Sequence, residues 1–400
     1  MLSVERLRRV ESISLIACIM CMTALSIDIV LPVLGVLRQE LTPFDANNAQ
    51  LVISFVFVGL SFGLIFYGPL SDSQGRKKTI YFGFVIFVTG CVVSAVAPTI
   101  EVMLLGRFLQ GLGAAAPRIV CIALIRDQYK GPEMARFVSL VMTIFMLCPL
   151  FAPLLGQFLS SLMHWRGIFV FLGLFALLAC LWFAVRQDET LLIKDRKPFS
   201  FKSFVRGMRE VVGARFTFTY VICLGLVFGG FIGFLSTSQQ LMEESYQLKE
   251  AFPLHFALLA FAMGIASFIN SKLVTRFSLR SLVVCSLLIY FLFSIFILIF
   301  SLGSNELPHY PIFVVYMGIV LFCTGLLFSN INSLAMQPFG HIAGLAASCV
   351  STMSTLLAVI IGMIIGRAFD GTPLPLITGF VLCGGLSLIL VILPSVLSCD

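Results

Sequence analysis

Asp28 lies in LIACIMCMTALSIDIVLPVL, within the first of twelve strongly apolar segments, and is the sole acidic residue deep inside any of them. A carboxylate at the bilayer centre costs roughly 2.5–3.5 kcal/mol on insertion scales, so such a residue usually marks an ion or substrate pathway. The chemistry open to it is reversible protonation or contact with a polar cargo. A second buried charge is Arg107, in the fourth segment, LLGRFLQGLGAAAPRIVCIALIRD. An arginine facing lipid is too costly, so Arg107 must point inward to a partner or a cavity.

The direction of the spans gives Asp28 a candidate partner. Segment one runs outward, with Asp28 about six residues before its outer end; segment four runs inward, with Arg107 about five residues after its outer start. At 1.5 Å per residue both lie roughly 8–9 Å below the outer interface. Equal depth permits an ion pair. A nearby cation favours the carboxylate form and burial favours the neutral acid. A group held between those influences exchanges a proton when the cavity opens or the arginine moves away. A static ion pair that only fixes helix packing is the alternative.

Other residues suggest moving parts. The stretch Gly68–Pro69–Leu70–Ser71–Asp72–Ser73–Gln74–Gly75–Arg76–Lys77–Lys78 reads as a short loop after segment two. Gly68 and Gly75 allow a tight turn; Asp72 can cap a helix end or pair, and Arg76 offers a fork of donors. Asp127, at the inner end of segment four, can pair with Arg76. Surface pairs contribute only about 0–1 kcal/mol, so this one would serve as a latch formed in one conformation; otherwise the loop is a solvated basic turn. In segment five, Pro149 and Pro153 with Gly156 interrupt the hydrogen-bond ladder, which is tolerated where neighbours or a cavity satisfy the freed carbonyls. Gln110 in segment four, with Asn330 and Asn332 (and Gln337) in FSNINSLAMQPFG, supply polar groups that can line a cavity with Asp28. Hydrogen bonds between helices, worth roughly 0.6–2 kcal/mol each, are the alternative. The histidines His164, His255, His309 and His341 sit mostly at span ends and read as interfacial groups, not proton carriers.

These residues must be positioned by helices. The chain of 400 residues is 59% hydrophobic and 11% charged, against about 25% charged in soluble domains. Runs of about twenty apolar residues recur from end to end, each long enough to cross a hydrocarbon core about 30 Å thick. Runs of that length mean helices rather than barrel strands. The expected spans are 12–34, 49–70, 79–98, 102–124, 137–159, 167–186, 215–236, 252–270, 281–302, 311–331, 342–366 and 375–396. The first is too long for a signal-peptide core and has no cleavage site, so it reads as retained.

Lysine and arginine counts set the topology. Twenty of the 26 basic residues fall on one side: those up to Arg9, Arg76–Lys78, Arg126 to Arg136, eight from Arg186 to Arg215, and Lys272, Arg276 and Arg280. The other side holds only Arg38, Arg166, Lys249 and Arg367. Both termini are therefore expected in the cytoplasm, and the net charge of +7 has a topological meaning rather than pointing to nucleic acid. The longest polar stretch falls midway and divides the chain into an N-terminal six-helix bundle (1–186), a cytoplasmic linker (187–214) and a C-terminal six-helix bundle (215–400). INSKLVTRFSLRS after span eight is a faded counterpart of SDSQGRKK after span two. Paired halves of this kind build transporters with a midplane site. The fold class is all-α: a polytopic membrane protein of twelve helices in two pseudo-symmetric bundles.

Several chemistries find no support. The twelve cysteines are scattered through apolar runs with no CxxC pair or His/Cys cluster, which argues against a disulfide framework or a metal site. There is no GxxxxGK[ST] phosphate loop and no GxSxG or HExxH motif, so neither an ATP-driven pump nor an enzyme is expected, and no cofactor.

The motifs resemble those of the major facilitator superfamily. GPLSDSQGRKK is similar to the family's span 2–3 signature, RFLQGLGAAAPRIV to the span-four signature of its proton antiporters, and CPLFAPLLGQFL to the span-five antiporter motif of the bicyclomycin/chloramphenicol-resistance (Bcr/CflA) subfamily. IDIVLPVL resembles that subfamily's Asp–x–x–x–Pro segment, and HWRGIF, RQDET and AGLAAS…FDGTPLP fit it as well. The resemblance spans essentially the whole chain. It implies a twelve-helix fold, the major facilitator fold, that exports small molecules in exchange for protons by alternating access. By position it implies Asp28 as the protonation site and Arg107 as the arginine that responds to it. Asp72, Arg76 and Asp127 become the cytoplasmic latch with Gly68 and Gly75, and Pro149, Pro153 and Gly156 the antiporter kink. Two departures stand: Gln157 occupies a place where a second glycine is common, and Cys18–Cys21 holds no second acid.

The expected function is that of a proton-coupled efflux transporter of amphipathic small molecules or drugs in a bacterial inner membrane, acting as a monomer. Its partners are cargo, protons and the lipid bilayer. A dedicated exporter of a metabolite such as a siderophore or amino acid keeps the same fold, as does a proton-independent facilitator in which Asp28 and Arg107 bind substrate. A non-transporting receptor or scaffold would need an extramembrane domain that the sequence does not offer.

Overall fold

The structure is a computed structural model, and it describes the chain except for residues 1, 43–45, 197, 199, 200, 249, 250, 305, 306 and 397–400. Lys197 and Lys249, counted above for topology, therefore lie outside the described residues. Every regular element among the described residues is helical, as a hydrocarbon solvent requires of a chain with no closed barrel. In order these are α1 (Leu2–Asp28), α2 (Leu34–Leu41), α3 (Leu51–Gln74), α4 (Arg76–Ala95), α5 (Ile100–Gln128), α6 (Gly131–Leu162), α7 (Trp165–Arg186), α8 (Phe201–Gly213), α9 (Arg215–Gln240), α10 (Phe252–Leu273), α11 (Leu279–Ser304), α12 (Tyr310–Met336), α13 (Ala343–Arg367) and α14 (Leu374–Val396). Twelve segments are long and apolar enough to cross a membrane. Three exceed their expected lengths by about nine residues: the first runs on from Val10 to Leu41, the seventh from Arg215 to Ser245 and the tenth from Tyr310 to Phe339.

The chain separates into two compact units. Unit 1 holds Met1–Thr42 and Phe55–Phe204; unit 2 holds Pro43–Ser54 and Val205–Asp400. The expected linker 187–214 is thus divided between them. The short stretch before α3 packs in unit 2, where Asn47 Nδ2 donates to the carbonyls of Arg367 at 3.0 Å and Phe369 at 2.9 Å, and Gln50 bonds to Gln240.

Unit 1 is assembled by close backbone approach. On α5, Gly111 meets α3 so tightly that a methyl group there would lie 1.9 Å from the Val56 carbonyl oxygen. On the same helix Gly113 meets α4, 2.4 Å from the Phe87 nitrogen. Small residues are the usual means of helix association in lipid, where no hydrophobic force drives helices together. At the other end of the unit, Glu40 of α2 ties down the start of α7. Its carboxylate takes His164 Nε2 at 3.0 Å, Trp165 Nε1 at 2.9 Å and Arg166 Nη1 at 3.3 Å. This is a structural use for HWRGIF.

In unit 2, α9 is buried on all sides along much of its length, packed by α12, α13 and α14. Asn270 of α10 and Asn330 of α12 form a reciprocal amide pair, at 3.2 and 2.8 Å. Inserting one methyl at the tightest seam, Gly111→Ala, should cost about 1–3 kcal/mol by overpacking. The measurement is the thermal unfolding midpoint of the purified protein in detergent; an unchanged midpoint would show that α3 and α5 separate freely.

Candidate functional site

Asp28 is the last residue of α1. The helix ends there for a reason written four residues on: Pro32 has no N–H to give the Asp28 carbonyl, so the i→i−4 ladder stops. The chain passes through a 3-10 turn, Leu31–Val33, before resuming as α2. Asp28 therefore marks a break in a membrane span, the kind of interruption on which transporters build ion sites. Its side chain is only 4% exposed and makes no hydrogen bond or ion pair among the described residues. α6 braces the break from the side, because Gly156 brings its backbone against the Ile29 carbonyl, where a methyl group would stand 2.1 Å away.

Arg107 is fully buried on α5. Thr23 Oγ1 of α1 donates to the Ala114 carbonyl of α5 at 3.2 Å. These helices run in opposite directions, so counting from that contact brings Arg107 and Asp28 to within about 3 Å of the same level. The shared depth expected from the sequence is thus kept, but the ion pair is not formed. Arg107 Nη1 instead donates to Gln110 Oε1 at 2.6 Å, and the guanidinium carbon lies 5.8 Å from the Phe169 ring centroid. Gln110 in turn donates to Ser94 Oγ of α4 at 3.3 Å. Gln110 is thus engaged on both sides and fully buried.

The amide of Asn330 is bonded to Asn270, while Asn332 is exposed on α12. Pro149 and Pro153 lie inside a continuous α6.

The latch residues do come together. The expected loop 68–78 is mostly helix: α3 runs through Gly68 and Pro69 to Gln74, and Gly75 alone separates it from α4. Gly75 has φ +103°, a left-handed-side conformation open to glycine. Arg76, 3% exposed, contacts Asp72 Oδ1 at 2.5 Å, Ser71 Oγ at 2.8 Å and Asp127 Oδ2 at 2.9 Å. One guanidinium fork thus binds the C-terminal ends of α3 and α5 to the start of α4.

The model of the Major Facilitator Superfamily matches residues 16–358. The chain belongs to that superfamily. It is 29% identical over 346 residues to an uncharacterised MFS-type transporter, YdgK, of Bacillus subtilis, covering 86% of this chain and 85% of that one. It is 25% identical over 354 residues to the bicyclomycin resistance protein homolog of Haemophilus influenzae, covering 88% and 87%. It is 27% identical over 333 residues to the multidrug resistance protein MdtL of Escherichia fergusonii, covering 80% and 81%. The xylose transporter XylE of E. coli superposes with a TM-score of 0.72 at 12% identity, over 96% of each chain. The fold is that of a major facilitator, and the chain is a transporter rather than an enzyme.

Within this major facilitator fold, two groups escape a reading by sequence alone. The first is the exit of α7. Glu189 Oε1 accepts the Arg76 backbone N–H at 2.9 Å and its Oε2 accepts that of Lys77 at 3.1 Å, so it caps α4 from 112 and 113 residues away. Thr190 Oγ1 donates to the same Asp127 oxygen that takes Arg76, at 3.1 Å. RQDET thus joins the cluster around Arg76 and Asp127. The second is Ser236–Gln240, a polar run wholly buried in the last turns of α9. Neither amide atom of Gln239 has a hydrogen-bond partner among the described residues. The signal was the lack of any breaker after Gly233, which lets the helix run on through STSQQ.

Losing a helix cap costs about 0.5–2 kcal/mol. Glu189→Ala should therefore speed amide exchange at Arg76 and Lys77 by roughly two- to thirty-fold, with α5 unchanged. Hydrogen-exchange mass spectrometry of peptides spanning the turn at Gly75 reads this directly; identical exchange would remove Glu189 from the latch.

Proposed function

We propose that this transporter exports amphipathic small molecules or drugs in exchange for protons, in a bacterial inner membrane with both termini in the cytoplasm. The observation that carries the reading is Asp28: a carboxyl buried at a break in span one, with no partner among the described residues. An ionised carboxylate is costly in such a place unless something compensates it. A proton compensates it by neutralising the group. A cationic or hydrogen-bonding cargo compensates it by contact. The two occupants exclude one another, so each promotes the release of the other, which is the reciprocity that antiport requires.

Energetics support the direction. One proton moving inward supplies about 2.3 kcal/mol per 100 mV of membrane potential. The names of two relatives, a bicyclomycin resistance protein homolog and a multidrug resistance protein, support drugs or drug-like amphipaths as the cargo class. The orientation rests on the distribution of lysine and arginine along the chain.

Arg107 acts in this scheme through its level rather than through a standing bond. It lies at the depth of Asp28 and is held by Gln110, a neutral partner from which a guanidinium can turn when the Asp28 carboxylate is exposed. The Arg76 latch is the part that must open and re-form. It joins three helix ends and the α7 exit, so its release lets those ends move as a group. In unit 2, Gln239 offers its unengaged amide to cargo.

Two outcomes are expected. Asp28→Asn should abolish cargo-triggered proton movement in proteoliposomes while the protein stays folded and inserted; coupled export that persists with Asn at position 28 would sink Asp28 as the coupling group. Asp72→Asn should slow turnover several-fold and leave the cargo KM unchanged, as read in transport assays on everted vesicles. A loss confined to KM would contradict a latch.

A further inference from the structure

Where the start of α11 meets the end of α14, unit 2 has a crevice of about 380 Å³ lined by Arg280, Ser281, Val284, Cys285, Val391 and Ile392. It is separate from the Asp28 break and from the Arg76 latch, both of which lie in unit 1. Its walls are of two kinds. Arg280 and Ser281 form a polar end, and the remaining four residues are apolar or a thiol.

The charge at the polar end has no counter-ion among the described residues. Arg280 is exposed, forms no ion pair among the described residues, and has as its hydrogen-bond acceptor the Val391 carbonyl at 3.5 Å. Ser281 is exposed beside it, its hydroxyl 2.8 Å from that of Ser278. A guanidinium fork with a hydroxyl next to it is suited to a phosphate diester, which offers two anionic oxygens to a pair of N–H donors.

The apolar end does not stop at the crevice. On α11, exposed Leu288, Leu292 and Phe296 continue from Cys285 at steps of three and four residues, so they lie on one helix face. On α14, which packs against α11, exposed Ile389 and Leu386 continue back from Ile392 at steps of three. From Ser281 to Leu292 is eleven residues, or about 16 Å of helix, close to half of a hydrocarbon core about 30 Å thick. A free phosphate would use only the first part of this surface. A molecule with an anionic head and an acyl chain uses all of it.

We propose that the α11–α14 crevice holds an anionic phospholipid, its phosphate on Arg280 and Ser281 and one acyl chain along the exposed faces of the two helices. The lipid belongs to the cytoplasmic leaflet, a placement that rests on the topology proposed above. Basic pockets between membrane helices on that side are the recognised physical setting for anionic head groups.

The test is native mass spectrometry of purified protein given equal amounts of phosphatidylglycerol and phosphatidylcholine, which needs no transport and so stands or falls apart from the antiport reading. The wild type should retain one phosphatidylglycerol in preference to phosphatidylcholine. Arg280→Gln should weaken that preference about five-fold, the worth of one basic residue near an anionic lipid surface. Cys285→Trp, which keeps the guanidinium but obstructs the acyl track at an exposed position, should lose the lipid as well. Lys272→Gln removes a cation of the same side that does not line the crevice, and should bind as the wild type does. Retention undiminished in Arg280→Gln would overturn the proposal. So would equal loss in Lys272→Gln, which would mark a diffuse charge effect, or displacement of the lipid by inorganic phosphate, which would mark an ion site.

Discussion

Hydrocarbon offers no water to an unpaired backbone group, and this constraint shapes nearly every element of the chain. It makes each span a helix, and it makes any interruption of a helix conspicuous. Pro32 imposes such an interruption by leaving the Asp28 carbonyl without its donor. The carbonyl and the carboxyl of the same residue are then presented together, in a span of 32 residues whose middle lies close by. A break of this kind persists only if its surroundings hold it in place. Gly156 of α6 does so by backbone contact against Ile29, and a larger residue at that position could not approach as closely. The span-five motif therefore has a role in packing at Asp28 itself, whatever motion its prolines permit.

The same constraint explains α5. A helix carrying a fully buried arginine needs close neighbours to shelter the charge, and Gly106, Gly111 and Gly113 admit the backbones of α3 and α4. Close approach also brings Ser94 of α4 within reach of Gln110, while the three-residue spacing along α5 places Gln110 beside Arg107. The small residues and the polar residues of span four thus act together: the helix sets the amide beside the guanidinium, and the glycines bring in the neighbouring helix whose serine anchors that amide.

How much of this could be read from the sequence follows from how far apart the partners lie. The twelve spans were legible because each is specified by its own run of about twenty apolar residues. Asp72 and Arg76 were legible because a turn of helix joins them, and Asp127 because it ends the next span but one. Glu189 and Thr190 were not legible as latch members, since their contacts reach back 112, 113 and 63 residues to α4 and Asp127. Asn330 suggested a cavity because polar amides in apolar helices do so, and a pattern search does not place Asn270, 60 residues earlier, opposite it. The expected seventh span ends at 236, whereas the buried polar run Ser236–Gln240 continues the helix. Depth was legible and direction was not: Asp28 and Arg107 share a level, but the side chain of Arg107 follows the nearest acceptor, Gln110.

That last distinction bears on the proton coupling proposed above. A permanent Asp28–Arg107 pair would stabilise the carboxylate so well that a proton could seldom displace the cation. Leaving the carboxyl without a partner while keeping the guanidinium at its level, on a neutral amide, puts the two states closer in free energy. In the proposed scheme the arginine compensates the carboxylate when the proton leaves, and returns to Gln110 when a proton or cargo arrives. The bond to Gln110 is worth roughly 1.5–3 kcal/mol as a hydrogen bond to a charged group, comparable with the 2.3 kcal/mol per 100 mV that one proton brings. Interactions of similar size on both sides of an equilibrium are what let a small driving force reverse it.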